Sequence, residues 1–149
     1  DRLSGERTVG AVALTLIKVA AERLGDTEQV RTAEGLTAVY SSRVRTLVDA
    51  VYDWSRFNSL PRAFAWISAE LAAKRVGSTE LVRVTLRYGD VSTIRRMGAF
   101  LDRKGAAAAL LRKLEGALKP SSSLIAWNPV RPKRGTVDRR WGVVWNDRA

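Results

Sequence analysis

Ser42-Arg43-Val44-Arg45-Thr46-Leu47-Val48-Asp49-Ala50-Val51-Tyr52 is the stretch at which the hydrophobic period of this chain changes. Val44, Leu47, Val48, Val51 and Tyr52 recur at three- and four-residue spacing, which makes one apolar helix face. Ser42 stands just before them, where a side-chain oxygen can accept from the free N–H groups of a first turn. Upstream the pattern is different. Residues 11–19 set Val12, Leu14 and Leu16 against Ala13, Thr15 and Ile17, an alternation that fits a strand, although Val9, Val12, Leu16 and Val19 also fit a helix face. Glu34-Gly35 separates two short β-like pieces, residues 29–33 and 36–40, as a hairpin does. The N-terminal third therefore reads as a small sheet that gives way to a helix at Ser42.

Four more helices are expected downstream. Pro61 suits a helix start through its fixed φ, and Phe64, Ile67 and Leu71 form the stripe of the helix that follows, ending before Gly77. Ser78 opens a helix carrying Leu81, Val82 and Leu86 before Gly89, and Ser92 is read as the cap of the next, whose stripe is Ile94, Met97, Gly98 and Leu101 before Gly105. An alanine-rich segment, residues 106–118, makes the fifth, with Leu110, Leu111, Leu114 and Leu118 inward and Pro120 as its stop. The pattern then returns to strand. Residues 124–127 and 141–145 read as the arms of a hairpin around a Pro/Lys/Arg/Gly loop at 128–137. Strand, helices, strand is the order of an α+β domain: a bundle of about five helices with small sheets from the N- and C-terminal segments. Leu47, Val51, Phe64, Ile67, Leu101, Leu111, Leu114 and Trp141 are expected to share one core. A length of 149 residues fits a single domain spanning 1–149.

Composition narrows the chemistry. With no histidine and no cysteine the chain lacks the commonest general base, the commonest metal ligand and any thiolate. Neither an enzyme, nor a metal site, nor a cofactor is expected. The apolar run at residues 9–21 is broken by Thr15 and Lys18 and is shorter than the ~20 residues a span needs. No membrane association and no signal peptide are expected, and a cysteine-free chain is assigned to the cytoplasm. Lys and Arg total 26 against 15 Asp and Glu, a net charge of +11, which calls for an anionic partner.

Two groups of cations are candidates for that contact. Arg95 and Arg96, placed in a first turn after a Ser92 cap, would run against the helix dipole, so their planar donors invite either an ion pair or a phosphate. Arg131, Lys133, Arg134, Arg139 and Arg140 form the densest basic cluster, diluted by Asp138 and interleaved with Trp127, Trp141 and Trp145. A flexible loop of this kind can follow a phosphate backbone, and its tryptophans either stack on bases or belong to the core. Arg45 and Asp49, four apart on one helix face, read as a structural ion pair. Gly98, inside a helix, reads as a close helix crossing.

Three blocks of residues are similar to AbiEi-type antitoxins of type IV toxin–antitoxin systems. They are Ser42-Arg43-Val44-Arg45-Thr46-Leu47-Val48-Asp49-Ala50, then Ile94-Arg95-Arg96-Met97-Gly98-Ala99-Phe100-Leu101 with Lys104-Gly105, then Arg140-Trp141-Gly142-Val143-Val144-Trp145-Asn146. Their order and separation resemble the C-terminal antitoxin domain of that family over roughly residues 14–146. Val44 departs from the family, which often has Glu there, and nothing here resembles the N-terminal winged-helix domain of full-length members. The resemblance implies a domain that counteracts a cognate nucleotidyltransferase-like toxin, with or without a stable complex. The basic surface leaves a second reading open, a nucleic-acid-binding module of a transcriptional autoregulator that takes operator DNA or RNA.

Overall fold

The computed structural model describes residues 5–147. Among the described residues, six α-helices and seven strands follow one another in the order strands, then helices, then strands, with one short 3-10 turn (Ala21–Arg23) between the first strands. β1 (Gly5–Val9) and β2 (Val12–Leu16) pair antiparallel, as do β3 (Thr27–Arg31) and β4 (Thr37–Ser41). These are two separate hairpins and not one sheet. Every residue of β1 and β2 is exposed, which is why the polar sequence of β1 carries no burial period to read.

α1 (Arg43–Tyr52) begins where Ser42 places its Oγ to accept from the Arg45 N–H at 3.1 Å. The same hydroxyl donates to Asp26 at 3.0 Å, tying the helix start to the end of the preceding linker. α2 (Trp54–Phe57) is a single turn that the apolar pattern does not announce. α3 (Arg62–Ala72) starts directly after Pro61, and α4 (Ser78–Tyr88) is opened by Glu80, whose carboxylate accepts from the Gly77 N–H at 3.1 Å. α5 (Val91–Arg103) is capped by Asp90 and not by Ser92: the Asp90 carboxylate accepts from the Thr93 N–H and hydroxyl, both at 2.7 Å. α6 (Ala108–Gly116) completes the bundle.

At the C-terminal end, β7 (Val143–Trp145) is the middle strand of three, with β5 (Ile125–Ala126) parallel on one side and β6 (Thr136–Asp138) antiparallel on the other. The expected hairpin between residues 124–127 and 141–145 is therefore corrected. β5 and β7 run in the same direction, and the hairpin is β6–β7, with β6 beginning within the segment read as loop. All eight predicted core residues are buried in one cluster, with Val51, Ile67, Leu101 and Leu114 fully enclosed. No described helix is long and apolar enough to cross a membrane.

Gly98 does not mark a helix crossing. A Cβ built on it would lie 2.2 Å from the Trp141 ring, so its missing side chain is the seat of that indole. Trp141 is 1% exposed, and its Nε1 donates to Asp102 at 2.9 Å. The C-terminal sheet is thus locked to α5 by an aromatic plug.

Candidate functional site

The seven expected cations divide into three kinds. Arg95 and Arg96 lie in the second turn of α5, because the true cap is two residues earlier than expected, and both are only 5% exposed. Arg96 donates through Nε and Nη2 to the Ala126 carbonyl at 3.1 and 3.0 Å, holding β5 against the helix. Burial pushes its pKa down, and the Asp90 carboxylate opposes that. Arg95 donates through Nη1 to the Ser123 carbonyl at 2.9 Å and to its hydroxyl at 3.3 Å. Its tie is to backbone and hydroxyl, with no carboxylate in ion-pairing range among the described residues.

Arg140 and Arg131 are neutralised. Arg140 reaches Glu115 through Nε at 2.7 Å and Nη2 at 3.0 Å, and Asp102 through Nη1 at 2.8 Å. Asp102 also accepts from the Trp141 indole, so Arg140 belongs to the bracket that holds Trp141. Arg131 lies 3.4 Å from Asp147.

Lys133, Arg134 and Arg139 are the third kind. They are exposed, and among the described residues none has a carboxylate in ion-pairing range; Lys133 donates to the Leu124 carbonyl at 2.9 Å. The loop that carries Lys133 and Arg134 is anchored where the sequence points to flexibility. The Asn146 amide reaches the carbonyls of Asn128, Arg131 and Pro132 at 2.8, 3.2 and 3.0 Å, while its Oδ1 accepts from the Asn128 N–H at 2.8 Å.

The tryptophans of the cluster are packing residues. Trp127 stacks on Phe64 at 3.8 Å between ring centroids, and Trp145 lies at 4.3 Å from Trp127 with the Arg103 guanidinium 3.4 Å above its ring. Trp145 therefore has partners for stacking already. Asp49 is likewise engaged: one oxygen accepts from Arg45 at 2.8 Å and the other from Arg23 at 3.1 Å. Those arginines lie over the Tyr88 and Tyr52 rings, tying the N-terminal linker to the bundle. Asp49 lines a cavity of ≈ 720 Å³, beside Phe57 and Trp66, as a doubly held structural carboxylate. No three His, Cys, Asp or Glu side chains converge on a metal-sized site among the described residues.

Sequence reasoning missed the roles of four residues around Arg139 and Arg140. Lys119 and Ser121 line a cavity of ≈ 410 Å³ together with Arg95, Arg139, Arg140 and Glu115. Asp102 and Glu115 decide which arginines are available, and only the fold brings them to Arg140. The Arg140 guanidinium holds the Glu115 carboxyl below its ordinary 4.5. A carboxyl with a depressed folded pKa contributes stability fully above 4.5 and loses it as pH falls through the folded value. Glu115→Gln is therefore expected to lower the urea midpoint at neutral pH, and the gap to the wild type should narrow as pH drops below 4.5. A gap that stays constant through that window counts against the pairing.

Comparison with protein-family models, curated proteins and solved structures gives no match for this chain.

Proposed function

We propose that this chain is a non-catalytic antitoxin domain of the AbiEi type, which counteracts a cognate nucleotidyltransferase-like toxin. The observation that carries the reading is where the three resembling blocks lie. The first is α1 with its cap, the second is the body of α5, and the third is the turn into β7; α1 packs on α5 and α5 on β7. Gly98 of the second block seats Trp141 of the third, and Arg95 of the second lies against Gly142 of the third. Blocks far apart in sequence that meet face to face support a shared architecture more strongly than isolated matches.

The test is co-expression of this chain with the nucleotidyltransferase-like protein encoded beside it. Growth should be restored in cells that otherwise arrest. Continued arrest in cells where the chain accumulates as folded protein would end the antitoxin reading.

Lys133, Arg134 and Arg139 favour the second reading, contact with nucleic acid. Exposed cations without protein counter-ions among the described residues suit a phosphate backbone. The two activities are compatible in one domain, since none of the three lines the cavity that holds Asp49 and Trp66.

A further inference from the structure

We propose that the cleft between the second turn of α5, the end of α6 and the 139–142 turn binds a phosphate monoester: the terminal phosphate of a nucleotide or of a nucleic-acid strand. The proposal rests on the nucleic-acid reading only in taking a nucleotide as the carrier of the phosphate.

Charge is the first ground. The ≈ 410 Å³ cleft is lined by Arg95, Lys119, Arg139 and Arg140 against one acid, Glu115. Arg140 and Glu115 satisfy each other, leaving Arg95, Lys119 and Arg139 facing the space without a carboxylate among the described residues. A monoester near neutral pH carries about −1.5 to −2 charge, and a backbone diester about −1, so the monoester is the better match.

Arg95 is the second and stronger ground. A guanidinium this buried is expensive to keep charged without a counter-ion. Its Nη1 is committed to Ser123, while Nε and Nη2 have no protein acceptor among the described residues and are not sealed from solvent. Those two nitrogens form one edge of the guanidinium, the edge that takes two oxyanion oxygens side by side. The fold thus places a buried donor with a free bidentate edge in the lining of a cleft and supplies it with no carboxylate among the described residues.

Local shape agrees. Gly142 has φ +64°, a left-handed conformation, and a Cβ there would stand 3.3 Å from the Arg95 Cζ. Glycine at this position keeps the approach to Arg95 open. A second cavity of ≈ 360 Å³ shares Ser121, Arg139 and Gly142 and adds Leu124 and Val137 as apolar walls. A phosphate on Arg95 would leave its nucleoside in that neighbouring space, with Ser121 between the two.

The experiment measures binding of the full chain to four probes: AMP, adenosine, and a 3′-labelled single-stranded hexanucleotide with either a 5′-phosphate or a 5′-hydroxyl. The phosphate-bearing member of at least one pair should bind about tenfold more tightly or better, as expected for a new charge-assisted contact. Preference within the AMP pair identifies a free nucleotide as the source, and preference within the strand pair alone identifies a strand end. Lys119→Ala with Arg139→Ala, both at exposed positions, should abolish the preference, and Arg95→Lys, which keeps the charge but removes the paired edge, should reduce it. Equal affinity within both pairs, or a preference that survives the Lys119/Arg139 variant, overturns the assignment. Equal affinity within both pairs, with the strands still bound, would sink the cleft and leave the nucleic-acid reading standing. AMP binding without strand binding would do the reverse.

Discussion

Replacing Trp141 by Ala is expected to lose about 3 to 5 kcal/mol, the range for deleting a buried large aromatic side chain. A domain of this size holds about 5 to 15 kcal/mol in all, so the variant should be close to unfolding at growth temperature. Three local features converge on this residue. The indole is 1% exposed, it sits on the bare backbone of Gly98, and its N–H is bonded to Asp102. The loss should register as a lower urea midpoint in far-UV circular dichroism. Trp141→Phe, which keeps a ring in the seat but drops the hydrogen bond, should fall between. The seat can also be blocked from the other side. Gly98→Val places atoms where the ring now lies, and overpacking of this kind costs about 1 to 3 kcal/mol. A Trp141→Ala midpoint within experimental error of the wild type would show that the C-terminal sheet is not part of the cooperative unit.

Changing Lys133, Arg134 and Arg139 together to Ala is expected to flatten the salt dependence of duplex binding by about 0.9 unit of slope per lost phosphate contact. With all three engaged, the drop approaches three units. The fold should survive, because none of the three is ion-paired within the described structure. Arg140→Ala is the contrasting variant. Its guanidinium is shared between Glu115 and Asp102, so its loss should lower thermal stability and leave the salt slope unchanged. Identical slopes for the wild type and the triple variant would show that these cations only solvate the loop.

The helical half of the fold was legible because burial writes a period into sequence. Val44 to Tyr52, Phe64 to Leu71 and Leu110 to Leu118 each carry an apolar face, and each became a helix of the core. The cap of α5 was misplaced because Asp90, Ser92 and Thr93 are all good acceptors, and only the backbone shows that Asp90 closes the turn. That displacement moved Arg95 and Arg96 out of the first turn and removed the dipole argument made for them. β1 and β6 escaped notice for a related reason: one is exposed throughout, the other is three residues long and mostly exposed, and neither needs an alternating pattern. The basic cluster was visible as composition, but its partition was not. Arg140 and Arg139 are neighbours in sequence with opposite fates, decided by carboxylates on α5 and α6 that no local rule connects to them. Lys119 and Ser121, which no pattern in the sequence singles out, acquire meaning only beside Arg95 and Arg139.

The Trp141 seat also sets a clock on synthesis. Gly98 and the helices around it are translated before the indole that fills their groove, and about 40 residues separate the two, so at roughly 5 to 20 residues per second the groove stays vacant for on the order of 2 to 8 seconds. For that interval after Gly98 leaves the ribosome its seat lacks the plug, and Phe64 waits for Trp127 to stack upon it. Ribosome stalling between the two would prolong display of an unfinished apolar surface, the kind that chaperones and proteases recognise. The yield of this domain in a cell therefore depends on how promptly the last strand arrives as well as on how tightly it is finally held.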